Sequence, residues 1–462
     1  MELAFLSATE QAALIRRREV SSSELVELYL ERIARLDPEL NAFVTVRAEE
    51  AREEARAADE TPGDAPFHGV PIGLKDLTAT KGVRTTLSSR AYADFVPPFD
   101  SAVARRLREA GFVLVGKTNT PEFGTTAFTE SELNGSTRNP WDPARTPGGS
   151  SGGAAAAVAA GLLPVAQGSD GGGSIRIPAS CCGVFGLKPA RGRVSAAPFG
   201  ALEGLSTGGP LTRSVEDAAA VLDVLEGYEY GDPYWAPPPE RPFVEEVGAH
   251  PGPLRVAVTA TPPIDTPVEA ACSGALAAAG ELLAELGHDV REATPPWRDP
   301  DLIHTFLTIW QLGPALDPLE DLSLLTPLNR ELVESAHATS AVEYGRAVAR
   351  LQALARRVVA FWEDVDVVLT PTLALPPVPI GWQETPGGAT EQLLRNAAFT
   401  PFTSIVNLTG QPAMSLPLHW TDEGLPVGVQ AIGPPAGEAL LLRLAAQVEE
   451  ARPWRDRRPP VA

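Results

Sequence analysis

Two glycine-rich segments, at 148–153 and 168–176, lie on either side of an alanine-rich segment at 154–161. The small residues between them predict a helix that packs closely and holds both loops against one point, whereas a flexible linker would stay polar. Glycine also lets successive backbone N–H groups turn toward one spot, as an oxyanion hole requires. A phosphate-binding loop or a plain turn stays an alternative, although the Lys-Ser/Thr ending of a nucleotide-binding loop is missing.

The rest of the chain predicts an α/β fold. Ser21 and Glu24 have capping-box spacing ahead of a helix with one apolar face, and further helices are expected at 100–111 and 266–287. Strand-like apolar runs occur at 70–74, 112–115, 254–258 and 365–369. Helices and strands that alternate in this way indicate a sheet covered by helices.

Composition and charge exclude several classes of partner. The chain has 59 acidic and 38 basic residues among 462, a net charge of −21, so its surface repels phosphate backbones and anionic lipids. We therefore expect neither nucleic acid nor a membrane as partner. Cys181, Cys182 and Cys272 show neither disulfide nor zinc spacing, which favours a reducing compartment and no metal site. Because no leader and no long apolar run is present, we expect a soluble cytoplasmic protein.

Ser174 is the candidate nucleophile, since it follows three glycines that could supply backbone donors beside it. None of the histidines lies in a motif-like context, so the base is sought elsewhere. Lys75 ends the strand-like run GVPIGL, and burial there would lower its pKa toward 7 or 8, leaving a neutral amine able to accept a proton. A solvated surface lysine is the competing interpretation. Cys181 and Cys182 are alternative nucleophiles, although small buried packing residues are more typical of such a pair.

These residues belong to longer segments that resemble the amidase signature family in order and spacing. The segments are HGVPIGLKD at 68–76, GKTNTPEFG at 116–124, NPWDPARTPGGSSGG at 139–153, GSDGGGSIRIPA at 168–179, CGVFGLKP at 182–189, NLTGQPAMSLPL at 407–418 and GLPVGVQ at 424–430. The resemblance implies one α/β domain over 1–462, with a central mixed β-sheet flanked by helices and a signature core at about 66–215. It implies an amide hydrolase with a Ser-cisSer-Lys triad and no cofactor.

The resemblance also assigns roles to residues of the triad. Lys75 becomes the base, Ser174 the nucleophile, and Ser150, which follows a cis peptide bond, the proton relay. The separation of 174 − 150 = 24 residues matches the family and favours Ser150 over Ser151. The implied oxyanion donors are the backbone N–H groups of Gly171, Gly172, Gly173 and Ser174.

The residues around the triad are given supporting roles. Asp170 and Arg176, with Ser151, are expected to hold the nucleophile loop, and a purely structural ion pair is an equally good interpretation of the first two. Ile177 is placed beside the acyl group of a small-molecule amide, which favours uncharged aliphatic or aryl amides, linear or cyclic. Other substrate contacts are expected from 228–240 and 300–345.

Two other functions are alternatives. The glutaminase subunit of a tRNA-dependent amidotransferase shares this fold and triad, but such subunits usually carry glutamine where this chain has Ile177. A catalytically silent scaffold is disfavoured because Lys75, Ser150 and Ser174 are all present. Members of the family are often dimers, so the resemblance allows a homodimer.

Overall fold

The computed structural model describes residues 2–61, 63–200, 202 and 204–462. Its strands are β1 (Phe43–Val46), β2 (Pro71–Lys75), β3 (Val113–Thr118), β4 (Glu130–Ser131), β5 (Gly135–Ser136), β6 (Val165–Asp170), β7 (Phe185–Lys188), β8 (Thr207–Thr212), β9 (Arg255–Val258), β10 (Asp289–Glu292), β11 (Val367–Pro371), β12 (Ala413–Trp420) and β13 (Pro426–Ile432). Strands β4 and β5 form a separate hairpin.

The remaining strands form one sheet, which has eleven strands within the described residues, in the order β1-β3-β2-β6-β8-β7-β12-β13-β11-β9-β10. Strand β2 is parallel to both of its neighbours, β3 and β6, whereas β6 and β8 are antiparallel. The predicted central mixed sheet is therefore confirmed. Because β2 is parallel to both neighbours, its carboxyl end opens at the same edge as theirs, and Lys75 is its last residue.

Helices cover both faces of this sheet. They are α1 (Ala8–Arg16), α2 (Ser22–Leu40), α3 (Ala48–Glu60), α4 (Ala102–Glu109), α5 (Gly152–Ala159), α6 (Arg176–Cys182), α7 (Val215–Leu225), α8 (Ala270–Glu285), α9 (Leu302–Trp310), α10 (Leu312–Ala315), α11 (Pro327–Ala338), α12 (Ala341–Val359), α13 (Gly388–Phe399), α14 (Ser404–Thr409) and α15 (Glu438–Ala451). Among the described residues, none of these helices combines the length and apolar character that a membrane crossing requires.

The two faces explain why the apolar runs are nearly continuous. In β3, Leu114 packs into the core beneath α4, α7 and α8, whereas Val113 and Val115 pack into the core beneath α2, α3 and α5. Every residue of β2 and β3 is buried. The alternation at 70–74 therefore marks two buried faces, as is usual where helices cover both sides of parallel strands.

Local signals located some of the helix ends. The capping box of Ser21 and Glu24 is present before α2. The helix expected at 266–287 begins later, at Ala270, because Glu269 is extended and its N–H donates to the carbonyl of Ala374 at 2.9 Å. The Pro-rich segments at 234–242 and 373–379 are irregular, as expected. The extent of the single domain, 1–462, stays a prediction.

Helix α5 is the alanine-rich segment, and all of its residues are buried. Its glycines permit a close approach that a larger residue would prevent. A Cβ atom on Gly153 would lie 2.4 Å from both the carbonyl oxygen of Ala42 and the amide nitrogen of Asn119. Backbone atoms cannot move away as a flexible side chain can. Glycine at this position therefore fixes the distance between α5 and the strands beside it.

We expect Gly153→Ala to lower the free energy of unfolding by about 1–3 kcal/mol, since overpacking forces the neighbouring backbone apart. Urea unfolding followed by circular dichroism measures the change. The matched control is Gly274→Ala in α8, where nothing lies within 4 Å of the added Cβ. That change should stabilise the protein by about 0.5–1 kcal/mol through helix propensity. Equal effects of the two substitutions would contradict the close approach at Gly153.

Candidate active site

The buried contact between Lys75 and Ser150 forms the centre of the site. Lys75 ends β2 and is fully buried, and its Nζ atom lies 2.7 Å from Ser150 Oγ and 3.2 Å from Ser169 Oγ. Its backbone N–H donates to Gln167 Oε1 at 3.2 Å, which ties the end of β2 to β6. The end of the strand thus places the lysine amine beside the two glycine-rich loops.

Burial lowers the pKa of Lys75 to about 7, against the opposing negative charge of Asp170. A buried ammonium loses its hydration, so the neutral amine is favoured. Near neutral pH a large fraction of Lys75 is therefore able to accept a proton. The solvated surface lysine, the competing interpretation of the sequence, is excluded.

The loop at 148–153 presents two serines with different surroundings. The peptide bond between Gly149 and Ser150 is cis, as the family resemblance implied. A Cβ atom on Gly149 would lie 2.8 Å from the backbone nitrogen of Phe128, so glycine is needed beside the relay candidate. Ser151 instead connects the loops: its N–H donates to the carbonyl of Ser174 at 3.1 Å, and its hydroxyl donates to the carbonyl of Ser169 at 3.2 Å.

Ser174 lies between the end of β6 and the start of α6, with 6% of its surface exposed, and it lines a cavity. Within the described part of the chain, its hydroxyl has no hydrogen-bond partner. The side chains of Lys75 and Ser150 are therefore in direct contact. Ser174 is linked to this pair by the hydrogen bond that the Ser151 N–H donates to the Ser174 carbonyl.

A buried ion pair holds the nucleophile loop. Arg176 donates to both carboxylate oxygens of Asp170, at 3.0 Å through Nε and 2.8 Å through Nη2, and both side chains are fully buried. The same carboxylate accepts the N–H groups of Gly173 at 2.9 Å and Ile175 at 3.2 Å. Burial opposes the charge on Asp170, but Arg176 holds the pKa of that carboxyl well below its usual range. This geometry fits the expected supporting role of both residues.

One of the expected oxyanion donors, the N–H of Gly173, has a hydrogen-bond partner within the protein. The Gly173 N–H donates to Asp170, so it supports the loop and is not free for a substrate oxygen. Gly173 also has a φ of +132°, and a Cβ atom there would lie 2.4 Å from Thr403 Oγ1. The N–H groups of Gly171, Gly172 and Ser174 are the remaining candidates.

The cavity beside Ser174 has a volume of about 740 Å³, and most of its lining is apolar. Ile177, 3% exposed, forms part of the wall, and its expected place beside an acyl group stays a prediction. Phe306 and Trp310 stack at a centroid distance of 5.3 Å, and the Trp310 indole donates to the carbonyl of Thr125 at 3.1 Å. The Trp310 ring would lie 3.1 Å from a Cβ atom on Gly171, so it covers the nucleophile loop.

The other lining residues only partly match the expected regions. Helix α9 contributes Leu302 to Trp310 from within the expected 300–345, whereas the residues that line this cavity include none from 228–240. The contribution of 393–404, including Leu393, Asn396 and Thr400, was not predicted from the sequence. Its only signal was an apolar helix face, which does not distinguish a cavity wall from an ordinary core.

An acidic cleft adjoins the cavity and shares Thr125 and Thr126 with it. It has a volume of about 1220 Å³. Four of the carboxylates that line the cleft are not buried, namely those of Glu130, Glu132, Glu331 and Glu384. Glu132 forms an ion pair with Arg90 at 3.2 Å, and the other carboxylates give this side of the approach an excess of acidic groups.

The cysteines lie outside this chemistry. Cys181 and Cys182 are fully buried in α6, and burial raises the pKa of both thiols. Because the thiolate is the reactive form, neither is prepared to act as a nucleophile. Both cysteines are better described as small buried packing residues, the alternative interpretation of the sequence.

Comparison with known proteins agrees with this geometry. The family model described as Amidase matches residues 24–442. A 6-aminohexanoate-cyclic-dimer hydrolase of Pseudomonas is 39% identical over 477 residues, covering 98% of this chain and 96% of the relative. An acylamidase of Rhodococcus erythropolis is 37% identical over 476 residues, covering 99% and 98%. A solved structure of 6-aminohexanoate cyclic dimer hydrolase superimposes with a TM-score of 0.95 at 37% identity, covering 100% of both chains. The chain therefore belongs to the amidase family, whose members are hydrolases of amide C–N bonds.

Proposed function

We propose that this protein hydrolyses uncharged amides through an acyl-enzyme on Ser174, with Ser150 as proton relay and Lys75 as base. The observation that carries the proposal is the 2.7 Å contact between Lys75 Nζ and Ser150 Oγ, in a buried site where the lysine pKa is about 7. A neutral amine in such a contact accepts a proton from the serine hydroxyl. Family membership supplies the reaction class.

The contact between Lys75 and Ser150 supports the second half of the proton route, and the family resemblance supplies the first, from Ser174 to Ser150. Ser174 Oγ attacks the carbonyl carbon while its proton passes to Ser150 Oγ, and the Ser150 proton passes to Lys75 Nζ. The oxyanion that forms is stabilised by the N–H groups left free in the nucleophile loop. The proton then returns through Ser150 to the departing nitrogen, which leaves as ammonia or an amine. Water, activated along the same route, releases the carboxylic acid from Ser174.

The cavity wall supports an apolar acyl group. Ile177, Phe306 and Trp310 line the cavity with Ser174, and no charged side chain is among the described residues that line it. Each buried methylene contributes about 0.8 kcal/mol, whereas burying an unpaired charge costs several kcal/mol. The adjoining carboxylates of the acidic cleft further oppose a substrate that carries a carboxylate.

The neighbourhood of Ile177 weighs against the glutaminase subunit, because an apolar wall has no partner for the ammonium and carboxylate of glutamine. The 39% identity to the cyclic-dimer hydrolase favours cyclic amides as a second substrate candidate. Three buried free cysteines support a reducing compartment, the cytoplasm. A homodimer stays a prediction.

Ser174→Ala should lower kcat for amide hydrolysis by at least about a thousandfold, since the covalent step has no substitute nucleophile. Ser150→Ala and Lys75→Ala should each cost nearly as much, because members of one proton-transfer unit are not additive. Product release from hexanamide gives the rates, and circular dichroism checks the fold. Ser335→Ala, at an exposed serine of α11 that does not line the cavity, is the matched control and should retain full activity. A Ser174→Ala protein with near wild-type activity would refute the assignment.

The pH dependence of kcat/KM should show the ionisation of Lys75. Only the neutral amine of Lys75 accepts a proton, so kcat/KM should rise with pH through about 7 and level off above it. Lys75→Arg, which stays protonated, serves as the control and should be inactive across the range. A profile that is flat between about pH 5 and about pH 9 would show that no base with this pKa controls acylation.

Acyl selectivity should follow the apolar wall. From acetamide to hexanamide, kcat/KM should increase by up to about fourfold per added carbon until the cavity is filled. Glutamine and malonamate should be poor substrates because their charges lack partners. Side-by-side kcat/KM values decide the question. If glutamine matched hexanamide, the better interpretation would again be a glutaminase of the amidotransferase type.

A further inference from the structure

A second cleft lies away from the catalytic cavity and shares none of its lining residues. It has a volume of about 980 Å³ and is bounded by the end of β12, the following turn and the segment after α15. Leu418 and Trp454 are buried at its base, whereas Arg452 and Arg457 are exposed. The cleft therefore combines an apolar interior with a basic opening.

The two arginines lack carboxylate partners. Within the residues that the structure describes, neither Arg452 nor Arg457 forms an ion pair with an acidic side chain. The Arg457 guanidinium lies over the Trp420 ring, 4.2 Å from its centroid. Stacking of this kind orients the guanidinium and leaves its N–H groups available.

An indole N–H in the same cleft also lacks an acceptor. Trp141 donates through Nε1 to the carbonyl of Cys182 at 2.8 Å, and Trp454 donates to the carbonyl of Arg213 at 3.0 Å. The Nε1 atom of Trp420 is buried and has no hydrogen-bond partner among the described residues. Buried donors are nearly always satisfied, so this N–H calls for an acceptor.

Both arginines act electrostatically on His419, which lines the cleft. The pKa of His419 is lowered first by burial and then by Arg452, whereas Asp422 raises it and Arg457 lowers it by less. Both guanidinium groups are therefore close enough to attract an anion in the cleft, and Asp422 and Glu423 are the carboxylates of the adjoining turn that oppose them.

We propose that the cleft binds a small organic anion, a carboxylate carried on an aromatic or aliphatic body. The carboxylate would accept hydrogen bonds from Arg452, Arg457 and the Trp420 indole, as charge-assisted contacts of this kind favour. The body would lie against the parts of the Trp141 and Trp420 rings that their mutual contact, at a centroid distance of 5.7 Å, and the Arg457 guanidinium leave open. The proposal does not depend on the amide substrate, although the acid released by amide hydrolysis belongs to the same chemical class.

Titration of the 462-residue chain with benzoate, followed by isothermal calorimetry and tryptophan fluorescence, tests the proposal. Benzyl alcohol has the ring without the charge, and acetate has the charge without the ring. Benzoate should bind at least about tenfold more tightly than either. Equal binding of benzyl alcohol would refute the role of the arginines, and equal binding of acetate would refute the role of the indole faces.

Variants locate the binding to this cleft. The double substitution Arg452→Ala and Arg457→Ala should weaken benzoate binding by at least about tenfold, and Trp420→Phe, which keeps a ring but removes the N–H, by about threefold or more. Arg356→Ala, at an exposed arginine in α12, is the matched control and should bind as the wild type does. Benzoate binding by the double variant within twofold of wild type would place the anion elsewhere and overturn the proposal.

Discussion

The buried ion pair between Asp170 and Arg176 determines the shape of the site. It links the end of β6 to the first turn of α6, and Arg176 also donates to the carbonyl of Thr403 at 3.0 Å and to Gln430 Oε1 at 2.6 Å. Breaking such a pair by removing one partner typically costs about 3–5 kcal/mol, because the remaining charge is left buried and alone. The nucleophile loop is therefore anchored at both ends by groups that must stay together, and Ser174 lies between them.

Close packing of small residues is the second constraint on the site. The glycines of α5 let this helix approach the strands closely, and the loop before it reaches the end of β2. Lys75 is then enclosed, and enclosure is the main cause of its lowered pKa. The lowered pKa of the lysine thus depends on packing rather than on a neighbouring charge, since the negative charge of Asp170 acts in the opposite direction.

The distribution of charge separates three regions of the surface. The cavity beside Ser174 is mostly apolar, the cleft beside it is lined by carboxylates, and the distant cleft near Trp420 carries two exposed arginines. The net charge of −21 does not reveal this pattern, because it contains no information on where the charged residues lie. Local fields of this kind decide which ligands approach each opening.

The sequence alone determined the class of fold, because alternating helices and strands leave a local pattern, and it made Lys75 and Ser174 candidates. The resemblance to the amidase signature family added Ser150, Asp170 and Arg176 through motifs with fixed spacing, and their roles stay predictions. It did not determine that the Gly173 N–H is taken by Asp170, because a hydrogen bond to a carboxylate depends on the loop's conformation. Nor did it reveal the cavity wall at 393–404 or the cleft near Trp420, whose residues are distant along the chain. Only tertiary packing brings such residues together, and no local pattern records that contact.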